Sequence, residues 1–387
     1  MRIYTPELTT VLTQLYPEYA EVSERLLQTT AEMCERDILP YAATVDKDHA
    51  FPALQIQTAF SHGLGAYHFP AQYGGTDLPY AFFLANTCEL LGKACANTAL
   101  TLMIHTAVAS GLLSHGTEEQ KTAYLPSLLT GATLGAFALT EPSGGSDAKN
   151  MRTKAEKTEQ GYRLNGSKTF ISNAGEAHLY LVFSRLEEGH GAFLVEKDTP
   201  GLEVQDLGSK LGFRGTKTGT LYFTDCDIPE ENLVSPQGFE VAKDILNGGR
   251  LAIAALCVGI TQAAYEKARD YSLTREVGGR PIAELYAIQE KLAAMAMSLT
   301  SSRLLVYHAA RLRDDGQPYA LAANKAKVVA SEMALRHCDQ AIQIFGGAGY
   351  LDKEDVHRHW RDARLLTIGE GTSEVLIPLI ARLEQKS

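Results

Sequence analysis

The apolar residues of this 387-residue chain change their repeat twice, and that constrains the fold more than anything else in the sequence. Up to about residue 133 the texture is helical. Residues 20–38 and 51–62 read as helices, and a run from Leu84 to Leu113 carries small residues such as Ala94, Ala96, Ala107 and Ala109 that let helices pack closely. Thr117-Glu118-Glu119-Gln120 is a capping-box pattern, predicting a further helix that ends near Gly131. From Leu134 the pattern shortens to strands at 135–139, 179–183, 191–195 and 220–223, and Asn165-Gly166 signals a hairpin turn. After Pro236 the helical repeat returns. Leu285, Ile288, Leu292, Met295, Leu299, Val306 and Ala309 form one stripe of a long helix, with 250–273 and 319–344 as its neighbours. The expected architecture is α+β in three domains: helical over 1–133, antiparallel β over 134–235 and a four-helix bundle over 236–387.

Charge narrows the choice of partner. Thirty-six basic against forty-six acidic residues leave −10 with no basic run. That argues against nucleic acid or an anionic membrane, though a few arginines and backbone amides suffice for one phosphate-bearing ligand. The six cysteines show neither CxxC pairing nor zinc spacing and read as buried thiols in a reducing compartment. Met1 to Pro6 lacks a signal-peptide pattern, and no apolar run reads as long enough to cross a membrane. A cytoplasmic protein without membrane insertion is expected.

Three segments carry chemistry. Glu370 lies between Gly369 and Gly371 just before a predicted helix, so its carboxylate can approach a ligand closely. In a dry pocket it is a base; at an exposed helix start it is decoration. Thr140 to Asp147 follows an apolar strand; Pro142 stiffens the turn, while Gly144 and Gly145 are expected to leave their amides open. Phe170-Ile171-Ser172-Asn173 ends another strand with an aromatic wall or an inward-packed ring. His105, on an apolar helix, reads as a satisfied core histidine before a pocket residue. His357 and His359 lack the further ligands that a metal site needs.

Leu139-Thr140-Glu141-Pro142-Ser143-Gly144-Gly145-Ser146-Asp147, Gln343-Ile344-Phe345-Gly346-Gly347-Ala348-Gly349-Tyr350, Trp360-Arg361-Asp362-Ala363-Arg364 and the Glu370 loop come in this order. Together they resemble the acyl-CoA dehydrogenase family, from about residue 15 to the end, with the base position of its short- and medium-chain members. The resemblance implies FAD held between the β domain and the last bundle. Phe137, Leu139, Thr140, Gly145 and Ser146 would lie against the flavin, with Thr140 on the isoalloxazine and Ser146 shared with the pantetheine arm. Phe170, Ile171 and Ser172 would flank the ring, with Phe170 where a Trp is frequent, and Thr372 would touch FAD. Arg275 matches an arginine that reaches the diphosphate from a neighbouring subunit, and Gln343, Gly346 and Gly347 match a second cross-subunit segment. Gly278 and Tyr286 depart from the usual Phe and Gln.

For the substrate, the resemblance implies contacts from Asn247 (an aspartate elsewhere) and Arg250. Glu370 would take the α-proton of an acyl thioester, its own N–H would help hold the carbonyl, and the β-hydrogen would leave as hydride to flavin N5. The family's second base position, just before the arginine, is Gly249 here and cannot serve. An acyl-CoA substrate, an electron-transfer flavoprotein as acceptor, and a homo-oligomer, by resemblance a tetramer, follow. The alternatives are an acyl carrier protein as thioester carrier, a flavin oxidase or monooxygenase, and a non-catalytic interaction protein. The intact Gly-Glu-Gly-Thr counts against the oxidase class.

Overall fold

In the computed structural model, which describes residue 3 and residues 6–385, helices precede and follow a β-sheet. The first set comprises α1 (Pro6–Leu15), α2 (Ala20–Met33), α3 (Ala42–Lys47), α4 (Ala53–Ser61), α5 (Tyr80–Ala94), α6 (Ala96–His115) and α7 (Glu118–Thr130). Helix α2 runs on as a π turn through Ile38, so the expected 20–38 segment is helical throughout. The apolar run from Leu84 divides at Cys95, whose backbone is extended. Just beyond, the Asn97 carboxamide accepts hydrogen bonds from Gly215 N and Thr216 N. The redirected helix thus grips a loop of the β domain. The capping box forms as read: Gln120 N donates to Thr117 Oγ1, Thr117 N donates to Gln120 Oε1, and the helix stops at Gly131 with φ 77°.

The sheet contains β1 (Gly135–Ala138), β2 (Lys154–Thr158), β3 (Gly161–Ser172), β4 (Leu179–Arg185), β5 (His190–Glu196), β6 (Leu202–Asp206), β7 (Thr218–Pro229) and β8 (Leu233–Ser235), ordered β6-β7-β3-β2-β4-β5-β8. Most pairs are antiparallel, but β1 lies parallel to β4, which the antiparallel expectation missed. Alternation explains how both faces are covered. Leu179, Leu181 and Phe183 of β4, with Ala192 and Leu194 of β5, pack against apolar residues of α6, α7 and the helix that follows β8. Tyr180, Val182, Phe193 and Val195 face the sheet's own core.

The expected Asn165-Gly166 turn does not occur. Both residues lie inside β3, opposite a bulge where Asp225 takes φ 48°. Asn165 Nδ2 donates to Asp225 Oδ1 and Asp225 N donates to Asn165 Oδ1, so the side chain mends the interrupted ladder. A β-carbon at Gly166 would lie 2.6 Å from Thr153 Cα, which explains the glycine without a turn.

The C-terminal part has α8 (Gly238–Thr274), α9 (Tyr286–Asp314), α10 (Ala320–Phe345), α11 (Val356–Leu366) and α12 (Ser373–Glu384), with a small hairpin of β9 (Glu276–Val277) and β10 (Arg280–Pro281) after α8. Arg250 therefore sits three turns into a helix rather than at its start. Met295, Leu299, Val306 and Ala309 of the α9 stripe are buried, and Leu285, Ile288 and Leu292 pack on the same core. Contrary to the sequence reading, α6 and α8 are long and apolar enough to span a membrane. Yet 89% and 72% of those windows lie buried inside the protein, as core helices. All six cysteines are buried and unbonded.

The Trp360–Arg364 motif holds the parts together. Arg361 pairs with the buried Asp46 and donates to Leu211 O, while Asp362 accepts from Phe213 N.

Candidate active site

Glu370 occupies a left-handed backbone position (φ 56°) in the turn between α11 and α12, and Gly371 follows at φ 98°. A left-handed glutamate is strained and persists only where its surroundings over-determine it. Two cations do so. Arg250 Nε donates to Glu370 O at 3.1 Å, and the buried Lys327 of α10 donates to Gly371 O at 2.7 Å. Thr372 caps α12 by accepting from Val375 N, which orients the far side of the loop.

The carboxylate itself lies over α8. A β-carbon built on Gly249 would stand 2.6 Å from Glu370 Oε2, and that oxygen is sealed from solvent without a hydrogen-bond partner. Gly248 and Gly249 are adjacent glycines in a helix interior, each costing about 1 kcal/mol relative to alanine. Burial pushes the Glu370 carboxyl up to about 7, against the opposing pull of Arg250 and Lys327. Burial likewise brings Lys327 down to about 8. The result is an acid held well above the usual carboxylate range, with one oxygen shielded from water and uncommitted: properties that suit a general base.

Asn247 is tied to the arginine three residues on. Its Oδ1 accepts from Arg250 Nη1 at 3.0 Å, which orients the guanidinium. Beside Gly249 a narrow cavity of about 10 Å³ is lined by Tyr80, Leu84, Met103, Ala107, Ile245 and Ala252, among others.

A second cluster forms where β1 and β3 end. Thr169 N donates to Thr140 O at 2.8 Å, and a β-carbon on Gly145 would lie 3.2 Å from Thr140 Cγ2. Phe170 is 69% exposed with φ 56°, and Ser146 is exposed. A large flat ring turned outward by a left-handed backbone, rather than packed inward, fits one face of a heterocycle. Phe137 is half-buried against Phe183. Leu139 and Ile171 are buried in the core, which leaves only their backbones for any ligand contact, and Ser172 is half-buried beside them. The Gly144 amide, expected to be open, donates to Glu141 O instead.

Sequence reasoning missed the pair that fixes this turn. Lys168 Nζ donates to Glu141 Oε1 at 2.7 Å and to Leu139 O, while Arg152 N and Thr153 N also donate to the Glu141 carboxylate. Burial raises Glu141, but these donors hold it down at about 2. The only signal was a lysine at an inward strand position.

The third group, Arg275, Gln343, Gly346 and Gly347, is exposed at the joined ends of α8 and α10, where Tyr271 stacks on Phe345. It lies far from the Glu370 loop along α8. From Arg250 to Arg275 the helix spans about 37 Å. His105 is a core histidine, as favoured: Gly135 N donates to its Nδ1, its Nε2 bonds to Leu128 O, and burial pushes it down to about 4.

Comparison with known proteins agrees with this layout. Models of the acyl-CoA dehydrogenase N-terminal, middle and C-terminal domains match residues 20–132, 136–226 and 236–384. The chain is 40% identical to the mitochondrial short-chain specific acyl-CoA dehydrogenase of Homo sapiens over 372 residues, covering 94% of this chain and 90% of that protein. It is 40% identical to an acyl-CoA dehydrogenase of Bacillus subtilis, over 91% of this chain and 94% of that one. The structure of butyryl-CoA dehydrogenase from Megasphaera elsdenii superposes with a TM-score of 0.91 at 36% identity, covering 94% and 98% of the two chains.

Proposed function

The chain belongs to the acyl-CoA dehydrogenase family and dehydrogenates acyl-CoA with FAD as cofactor, and on that footing we propose that Glu370 is the base that removes the α-proton. One observation carries this reading: a carboxylate whose Oε2 is sealed and unpartnered lies over Gly249 beside an apolar cavity, where burial pushes it up to about 7.

The α-hydrogen of a thioester is a weak acid, so its removal needs a polarised carbonyl, an aligned base and exclusion of water. The Glu370 N–H, presented by the left-handed backbone, polarises the thioester carbonyl. Arg250 and Lys327 anchor the two loop carbonyls and so fix the carboxylate relative to the α-carbon. When bound, FAD supplies the acceptor for the β-hydrogen, taken as hydride. Phe170, the Thr140 and Ser172 backbones, Gly145 and Ser146 line the shelf for its ring, and Thr372 closes the loop side.

The distance between Arg250 and Arg275 supports a homo-oligomer. A side chain about 37 Å along the same helix cannot hold the diphosphate of a flavin that faces its own Glu370. A second copy supplies Arg275, Gln343, Gly346 and Gly347, and we propose a tetramer with an electron-transfer flavoprotein as acceptor. Anaerobic titration of the holoenzyme with short acyl-CoA thioesters tests the reading. Bleaching of the flavin with an enoyl-CoA product is expected; a flavin that stays yellow with every thioester would overturn it.

A further inference from the structure

Both adjacent glycines of α8 give up their β-carbon positions to charged groups. At Gly249 the group is the Glu370 carboxylate; at Gly248 a β-carbon would lie 2.7 Å from Nη1 of Arg313. Neighbouring β-carbon positions on a helix are about 5 Å apart, so the two groups lie within about 10 Å of each other, although residues 248 and 249 point about 100° apart around the helix. The narrow cavity beside Gly249 reaches Arg313, and it shares Tyr80, Ser110 and Arg313 with a wider cleft of about 480 Å³ beyond.

Arg313 is an unusual residue to find there. Its guanidinium stands 4.1 Å from the Tyr80 ring centre and 5.2 Å from that of Tyr319. Its Nη1 is sealed from solvent without a hydrogen-bond partner, and among the described residues it forms no ion pair. The carboxylates around it are already engaged. Asp314 accepts from Ala81 N, Phe82 N and Tyr16, while Glu18 and Asp315 pair with Arg311. Asp244 pairs with His115, and Asp77 accepts from Ala71 N.

A second unpartnered group lines the same cleft. His68 is buried, its ring centre 4.9 Å from that of Tyr80, and both ring nitrogens lack partners. Burial, with Arg313 nearby, brings it down to about 3, so it stays neutral and offers one N–H.

We propose that the acyl group dehydrogenated here is short and ends in a carboxylate, which Arg313 binds at the far end of the acyl pocket. The inference rests on Glu370 as the base. An alkyl end would leave Nη1 of the guanidinium without an acceptor, whereas a carboxylate supplies one and accepts from His68 as well. Gly248 is then a specificity residue, because any side chain there would push the guanidinium away.

The test compares glutaryl-CoA with its neutral isostere 4-methylpentanoyl-CoA by anaerobic flavin bleaching on the wild-type holoenzyme and on Arg313→Met and Arg313→Lys. Wild type is expected to favour glutaryl-CoA in kcat/KM by about tenfold or more. Arg313→Met should reverse the order, and Arg313→Lys should keep it in weakened form. A wild-type preference for the isostere, or equal losses for both substrates in Arg313→Met, would overturn the proposal. The wild-type comparison decides alone should Arg313→Met fail to fold. Bleaching by butyryl-CoA but by neither of these thioesters would overturn the proposal and leave the base assignment standing; bleaching by none of the three would count against the base assignment and remove this inference with it.

Discussion

Glu370 and Gly249 share one point in space: the position that a β-carbon would take on Gly249 is 2.6 Å from the Glu370 Oε2 oxygen. A carboxylate carried on either segment would thus come to the same place, and in this chain the turn carries it while position 249 is glycine.

Replacing Glu370 with glutamine removes the base while keeping its shape. Flavin should remain bound, and the rate of bleaching by acyl-CoA in a single anaerobic turnover should fall by about 10³-fold or more. A bleaching rate within tenfold of wild type would exclude Glu370 as the base.

Proton abstraction requires the ionised carboxylate, so kcat/KM should rise with pH to a plateau, with an apparent pKa near 7. Lys327 lowers that value, and its replacement by methionine should move the profile to higher pH. A profile that stays put or moves down would show that Lys327 does not face the base electrostatically. The same shift bears on stability. The folded pKa lies above the ordinary 4.5, so the ionised form is disfavoured by folding, and stability is lost as pH rises from about 4.5 through 7. Glu370→Gln should therefore be more stable than wild type at pH 8, by on the order of 1–3 kcal/mol, with the gap closing below pH 4.5. Urea unfolding of the holoenzyme at both pH values checks this.

How much of this was legible beforehand depends on how local each determinant is. The capping box of Thr117 and Gln120 needs only four consecutive residues, and it forms as written. For the Glu370 loop the flanking glycines marked a tight turn, but whether the acid sits in a pocket or at an exposed helix start depended on α8 and α10, far away in sequence. Lys327 was not legible. It lies on the buried face of α10 with Ala323 and Ala330, but its partner carbonyl is 44 residues away. Asn165-Gly166 failed for the opposite reason: a strong local turn signal was overruled by the bulge at Asp225, which only the pairing with β7 defines. The Gly144 amide was expected to be free because nothing in the sequence shows the turn closing on Glu141.

Lys168 and Glu141 make a buried ion pair whose loss from one side leaves a carboxylate stranded. Lys168→Met should cost about 3 kcal/mol, even with the Arg152 and Thr153 amides still donating. The Thr140 turn should loosen with it, so FAD retention through gel filtration should drop as well. A stability loss with full flavin retention would show that the pair supports the fold but not the shelf.

Arg275 offers the converse case. It is exposed, and its backbone hydrogen bonds with Tyr271 and Ile282 survive truncation of the side chain. Arg275→Ala should leave the apoprotein's thermal midpoint unchanged and weaken FAD binding by about tenfold or more, as expected for a lost guanidinium–phosphate contact. Unchanged flavin retention would remove Arg275 from the diphosphate site.

Gly249→Ala separates folding from catalysis. Alanine favours the α8 helix by up to about 1 kcal/mol over glycine, so the variant should be at least as resistant to urea as wild type. The added methyl occupies space beside Oε2, and the flexible glutamate must shift to relieve the contact. A displacement of about 1 Å in a reacting group costs on the order of 10²-fold in rate, and that loss is expected in single-turnover bleaching. An alanine variant that is stable and reduces its flavin at the wild-type rate would mean that the carboxylate works from some other position.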